Sequence, residues 1–273
     1  MRQNRKLIRA VVLLVTAGAF FVASPTPHAS AGTLLFADEF NGAAGSGIDG
    51  SRWAYDIGGS GWGNGQLEYD TDSTANAAMD GEGNLVFTAL ADSGGNACWY
   101  GPCQYTSARL TTWGRLAVQT GVLETRMRIP CGQGLWPAFW ALGTDLQAVG
   151  WPASGEIDIM ENLGSEPYTV HGSLHGPGYA GVGSRMGSFS IGSPLCWDFH
   201  TYTAVWTTGD VSFFLDGFAY ARITAAQADP WAFNKPFFLV LDLAVGGSWP
   251  GSPDAGTVFP ARLRVDYVRV FSL

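Results

Sequence analysis

The 273-residue chain carries 15 Lys and Arg against 23 Asp and Glu, a formal charge of −8. An acidic surface repels nucleic acid and anionic lipid, so neither is expected as a partner; a neutral polymer suits it better than a sulfated one. Charged residues make up only 14% of the chain, while 37 glycines and 11 tryptophans point to many turns and open aromatic surfaces.

The chain opens with Arg2, Arg5, Lys6 and Arg9, followed by an uncharged apolar run from Ala10 to Ala23 and the small-x-small triplet Ala29-Ser30-Ala31. That order is the pattern of a secretory signal peptide over residues 1–31, cut after Ala31. The run falls short of the roughly 20 residues that cross a bilayer. A secreted, extracellular product is expected, with residues 32–273 as one domain. No Ser/Thr/Pro or Gly/Ser linker announces a second one.

The remaining pattern has period two. Asp80-Gly81 reads as a turn before a strand with Leu85, Phe87 and Ala89 on one side. In 122–129, Leu123, Met127 and Ile129 alternate with Glu124, Arg126 and Arg128. Asp216-Gly217 between Val211–Leu215 and Phe218–Ala221 is a strong hairpin signal. Residues 225–233 have room for one short turn of helix. Near the end, Leu263, Val265 and Tyr267 alternate with Arg264, Asp266 and Val268. Many short strands between Gly, Pro and Asn turns predict an all-β antiparallel sandwich or barrel. Export favours disulfides among the four cysteines. Of three possible connectivities, Cys98 with Cys103 is preferred, because the two flank the turn-like Trp99-Tyr100-Gly101-Pro102; that leaves Cys131 with Cys196.

The chemistry concentrates in Gly155-Glu156-Ile157-Asp158-Ile159-Met160-Glu161. As a regular strand it would send Ile157 and Ile159 inward, Glu156 and Asp158 outward, and Glu161 inward with the isoleucines. Burying an unpaired carboxylate is costly. A β-bulge near Met160 removes the conflict by turning Glu161 onto the face of Glu156 and Asp158. Three like charges in a row, with no basic residue between them, are poor as a solvated surface but suit glycoside hydrolysis. That reaction pairs an ionised carboxylate with a protonated one, and a neighbouring carboxylate helps hold the proton.

Aromatic residues support a sugar cleft. Trp136 and Trp140 share a strand face with Ala138 between them, and Phe139 points to the core. Trp151 lies just before the acidic strand, and Trp62 and Trp249 sit in glycine-rich loops. His171 and His175 share a face of the following strand, with His175 the better candidate for a sugar hydroxyl; His200 reads as structural.

Glu156-Ile157-Asp158-Ile159-Met160-Glu161 resembles the bulged Glu-x-Asp-x-x-Glu signature of family 16 of the glycoside hydrolases. Phe36–Phe40, Gly61-Trp62-Gly63-Asn64, Gly132–Trp140, His171–Tyr179 and Leu243–Gly251 are similar to further family segments in the same order. The likeness is strongest to the bacterial laminarinases, which are endo-β-1,3-glucanases. It implies a β-jelly-roll of two curved antiparallel sheets with a concave substrate cleft. It implies retaining hydrolysis with Glu156 as nucleophile, Glu161 as general acid/base and Asp158 assisting. Asn64, Trp136, Trp140 and His175 fall where the family binds sugars; with Trp151 and Trp249, from the aromatic pattern, they are the candidate substrate contacts. Catalysis needs no cofactor on this reading. Many family members carry a calcium ion on the convex side, and its ligands map to Glu39, Gly81 and Asp266, partly through backbone carbonyls. The expected partner is neutral β-glucan and the expected state a monomer. Mixed-linkage β-1,3-1,4-glucanase activity and a non-catalytic glucan-binding protein are the alternatives, and retention of both glutamates argues against the second. Two departures bear on distal sugar contacts: Gly65-Gln66-Leu67-Glu68-Tyr69-Asp70 after Asn64, and Asp242 where the family usually has Asn.

Overall fold

Alternate residues are buried along most strands, as a two-layer β fold requires. The computed structural model describes residues 32–92 and 94–273; the expected leader at 1–31 lies outside the described residues. One sheet runs Phe218–Thr224, Asp210–Leu215, His200–Trp206, Gly121–Arg128, Ala261–Phe271, Leu85–Ala89, Ala77–Met79, with Leu34–Asp38 also paired to Ala261–Phe271. The other runs Arg185–Ser190, Thr169–His175, Glu156–Glu161, Leu135–Gly143, Phe237–Val245, Arg109–Thr111, Ala54–Tyr55. Pairing in both is antiparallel.

The core lies between the sheets. Phe139, Ile157 and Leu241 from one meet Leu123, Phe213 and Val265 from the other in a single buried cluster. Phe237–Val245 is buried at all nine positions, because its outer face is covered too. There Phe238 and Val240 join Leu142 and Trp140, while Ala244 joins Trp136 and Leu163. That outer face is the floor of a cleft.

The expected hairpin is present: Asp216 and Gly217 have φ of 50° and 80°, the two positive values a type I′ turn demands. Residues 225–233 hold only one closed turn, from Ala228 N–H to Thr224 O at 3.1 Å. The short helix is elsewhere, at Leu146–Val149. The disulfides are Cys98–Cys103 and Cys131–Cys196.

One alternation differs from expectation. Met127 pairs with Val265 and Arg126 with Tyr267, so Asp266 is the extra residue of a bulge. The bulge reverses the faces beyond it. Val268 and Val270 enter the core, and Tyr267 stays half-buried. At the residues expected to hold calcium, Asp266 is ion-paired to Arg126 and Glu39 to Arg269. Gly81 turns at φ 80° against Ala44. Arg269 holds both oxygens of Glu39, whereas Arg126 holds only Oδ2 of Asp266.

Candidate active site

The acidic strand carries the bulge its spacing demands. Asp158 pairs with Ser173 and Glu161 with His171, so Ile159 and Met160 together face Gly172. Ile157, Ile159 and Met160 all point into the core. Glu156, Asp158 and Glu161 all line a cleft of about 640 Å³ on the opposite face.

Each carboxylate has its own donor. Trp151 gives its indole N–H to Glu156 Oε2 at 2.9 Å, and Trp136 gives its N–H to Glu161 Oε1 at 3.1 Å. Asp158 Oδ2 accepts from the Ser173 hydroxyl at 2.6 Å and lies 3.1 Å from His175 Nε2. Burial, then the charge of Asp158, pushes Glu161 well above the ordinary carboxylate range. The same causes in the same order push Glu156 up to about 8, against the opposing pull of His175 and Trp151. Adjacent acids in a poorly hydrated cleft thus favour retaining a proton.

His175 is under opposing influences. Burial lowers its pKa, but the hydrogen bond and charge of Asp158, then Glu156 and Glu161, carry it up to about 9. Gly181 N–H, however, donates to Nδ1 at 3.0 Å. Two N–H groups cannot share that position, so this geometry fits the neutral ring with its proton on Nε2, aimed at Asp158. Glu156, Asp158 and His175 offer atoms within 4.8 Å of one another, the only such group among the described residues. With Nε2 protonated, the cluster is organised around a proton, not a cation.

Asn64, Trp136, Trp140, Trp151, His175 and Trp249 all line this cleft. Trp136 is part of its floor, only 8% exposed, whereas Trp151 is 50% exposed. Trp249 sets its ring against Trp136 and His171 at 5.7 and 5.1 Å. The Asn64 carbonyl accepts Ser248 N–H at 2.7 Å, tying the two glycine-rich loops together. His171 does not line the cleft; its Nδ1 meets Ser188 Oγ at 2.8 Å.

Further polar residues in and behind the cleft had no role assigned from the sequence. The Arg109 guanidinium lies between the rings of Trp62 and Trp140, at 4.4 and 4.7 Å from their centroids. Asp70 accepts the Trp62 indole N–H at 2.7 Å, and Asp242 accepts that of Trp140 at 3.0 Å. Burial, opposed by Arg109, leaves Asp242 raised to about 6. Glu68 is also buried, its Oε2 accepting Val245 N–H at 2.8 Å. Asp242 was visible as a departure from the family pattern. Arg109 and Ser173 carried no local signal, because their partners come from distant strands.

The sequence pattern described as "Glycosyl hydrolases family 16" matches residues 60–269. The chain belongs to this family. A β-glucanase of Rhodothermus marinus is 41% identical, over 87% of this chain and 84% of that protein. The structure of an endo-β-1,3-glucanase from Pyrococcus furiosus superposes with a TM-score of 0.82 at 42% identity, covering 88% of this chain and 94% of that one. A non-specific endo-β-1,3(4)-glucanase of family 16, SCLam, holding an oligosaccharide at its active site, superposes with a TM-score of 0.81 at 34% identity, covering 92% and 98%. The family 16 assignment makes the chain a glycoside hydrolase with a β-jelly-roll fold, as its sequence predicted.

Proposed function

We propose that this glycoside hydrolase cuts β-1,3-glucan internally, by a retaining double displacement. The observation that carries the reading is the bulge that turns Glu161 onto the face of Glu156 and Asp158, inside a tryptophan-lined cleft. Glu156 is assigned as nucleophile: it accepts the Trp151 N–H, which favours its anion. Glu161, the more buried of the two, is assigned as general acid. In the first step Glu156 attacks the anomeric carbon, the glycosidic C–O bond breaks, and Glu161 protonates the departing oxygen. In the second, Glu161 takes a proton from water, and that water releases the sugar from Glu156. Asp158 lies between them on the same face and raises the pKa of both.

The substrate is a neutral polysaccharide, in keeping with the acidic chain. Catalysis requires no cofactor, and the enzyme works as an exported monomer after loss of residues 1–31. The similarity to SCLam supports a second reading, action on both β-1,3 and mixed-linkage glucans. Reducing ends released from laminarin, curdlan and barley glucan separate the two. Strong release from the first two alone supports β-1,3 specificity, comparable release from barley glucan supports the broader reading, and none from any of them sinks both.

A further inference from the structure

Ser173 stands opposite Asp158 on Thr169–His175 and is fully buried. Its hydroxyl donates to Asp158 Oδ2 at 2.6 Å, and its Oγ lies 3.4 Å from Glu161 Oε2 and 3.4 Å from His175 Nε2. A serine hydroxyl has one proton and two lone pairs. With that proton on Asp158, the oxygen is left as an acceptor beside Glu161.

We infer that Ser173 is a positioning residue that favours the protonated form of Glu161. A protonated Glu161 can donate to Ser173 while Ser173 donates to Asp158, so each proton serves one acceptor. An ionised Glu161 breaks this chain, because the single serine proton must then serve one carboxylate or the other. The arriving glycosidic oxygen competes with Ser173 for the Glu161 proton. Once that proton has gone to the leaving group, the serine hydroxyl turns to the new carboxylate, and Asp158 keeps the His175 donor. The other groups facing this site are Glu156 and Asp158 on the same strand, His175 beside it, and the Trp136 indole. From the opposite sheet Tyr220 feels the charge of Glu161, and Asp242 feels that of Asp158. Replacing Ser173 by a neutral residue adds no charge to the site and leaves Asp158 its His175 donor.

The inference rests on Glu161 being the acid/base and is tested by the pH profile of kcat/KM on laminarin. Ser173→Ala should move the basic limb down by about one pH unit, the size of one hydrogen bond made to a single protonation state. Ser173→Thr, which keeps the hydroxyl, should stay near wild type. If the alanine variant does not fold, Ser173→Cys keeps the volume with a weak donor and should shift the same way. An unmoved limb in the alanine or cysteine variant, or an equal shift in the threonine variant, overturns the inference. The underlying role has its own check. Glu161→Ala should recover activity on an aryl β-glucan oligosaccharide whose leaving group needs no proton. Failure there removes the acid/base reading; recovery there with an unmoved limb removes only the role of Ser173.

Discussion

Glu156 and Glu161 are five positions apart yet face the same cleft, because Ile159 and Met160 together oppose the single residue Gly172. A regular strand would put them on opposite sides. The bulge serves packing and chemistry at once: Met160 fills the core at the point where Glu161 would otherwise have to enter it.

Deleting Met160 tests this register. The remaining spacing from Glu156 to Glu161 is then four positions, so a regular strand without the bulge should still carry Glu161 on the cleft face. The melting midpoint should fall, because one buried apolar side chain is lost. Adding Glu161→Leu to the deletion should recover none of that midpoint, since Glu161 is not in the core, and should abolish activity. Calorimetry of the single and double variants decides the matter, and a midpoint restored by Glu161→Leu would count against the register argument.

Removing either glutamate should leave the fold intact and the rate low. Glu156→Gln should cut kcat by at least about a thousandfold, and Glu161→Gln by about a hundred- to ten-thousandfold, the range of a positioned general acid. Circular dichroism establishes folding beside the kinetics. Near-normal turnover in Glu156→Gln would refute the assignment.

Asp242 predicts a pH-dependent stability difference. Its pKa is raised to about 6 in the folded chain, chiefly by burial. A raised acid contributes stability below its unfolded pKa, near 4, and that contribution is lost as pH rises toward 6. Asp242→Asn keeps an acceptor for Trp140 but cannot ionise. It should match wild type near pH 4 and exceed it at pH 7 by up to about 3 kcal/mol, at about 1.4 kcal/mol per pKa unit. Denaturant midpoints at the two pH values test this, and a gain at pH 4 would contradict the sign.

The two disulfides should differ in weight. Cys131–Cys196 closes a loop with a sequence separation of 65, Cys98–Cys103 one of 5. By chain entropy the first is worth about 4 kcal/mol and the second about 2. Paired serine substitutions, compared by denaturant unfolding, should reproduce that order.

What could be read beforehand was what local pattern encodes. The Asp216-Gly217 hairpin, the alternation of Leu85, Phe87 and Ala89, and the odd spacing of Glu161 are all short-range signals. The bulge at Glu161 was legible because a carboxylate would have been buried without it. The bulge at Asp266 was not, since Tyr267 and Val268 are both apolar enough for a core and nothing marked which one turned inward. Ser173, Arg109 and Asp70 gain their roles only through side chains on other strands and loops. Trp62 and Trp140 looked like separate sugar platforms, and only folding brings Arg109 between them.

The most direct test of the paired-glutamate mechanism is proton NMR of the anomer formed first when the enzyme cuts laminarin, read before mutarotation. Retention through a Glu156 ester predicts that the β anomer appears first and the α anomer grows in later. The α anomer appearing first would contradict the double displacement and the roles assigned to Glu156 and Glu161.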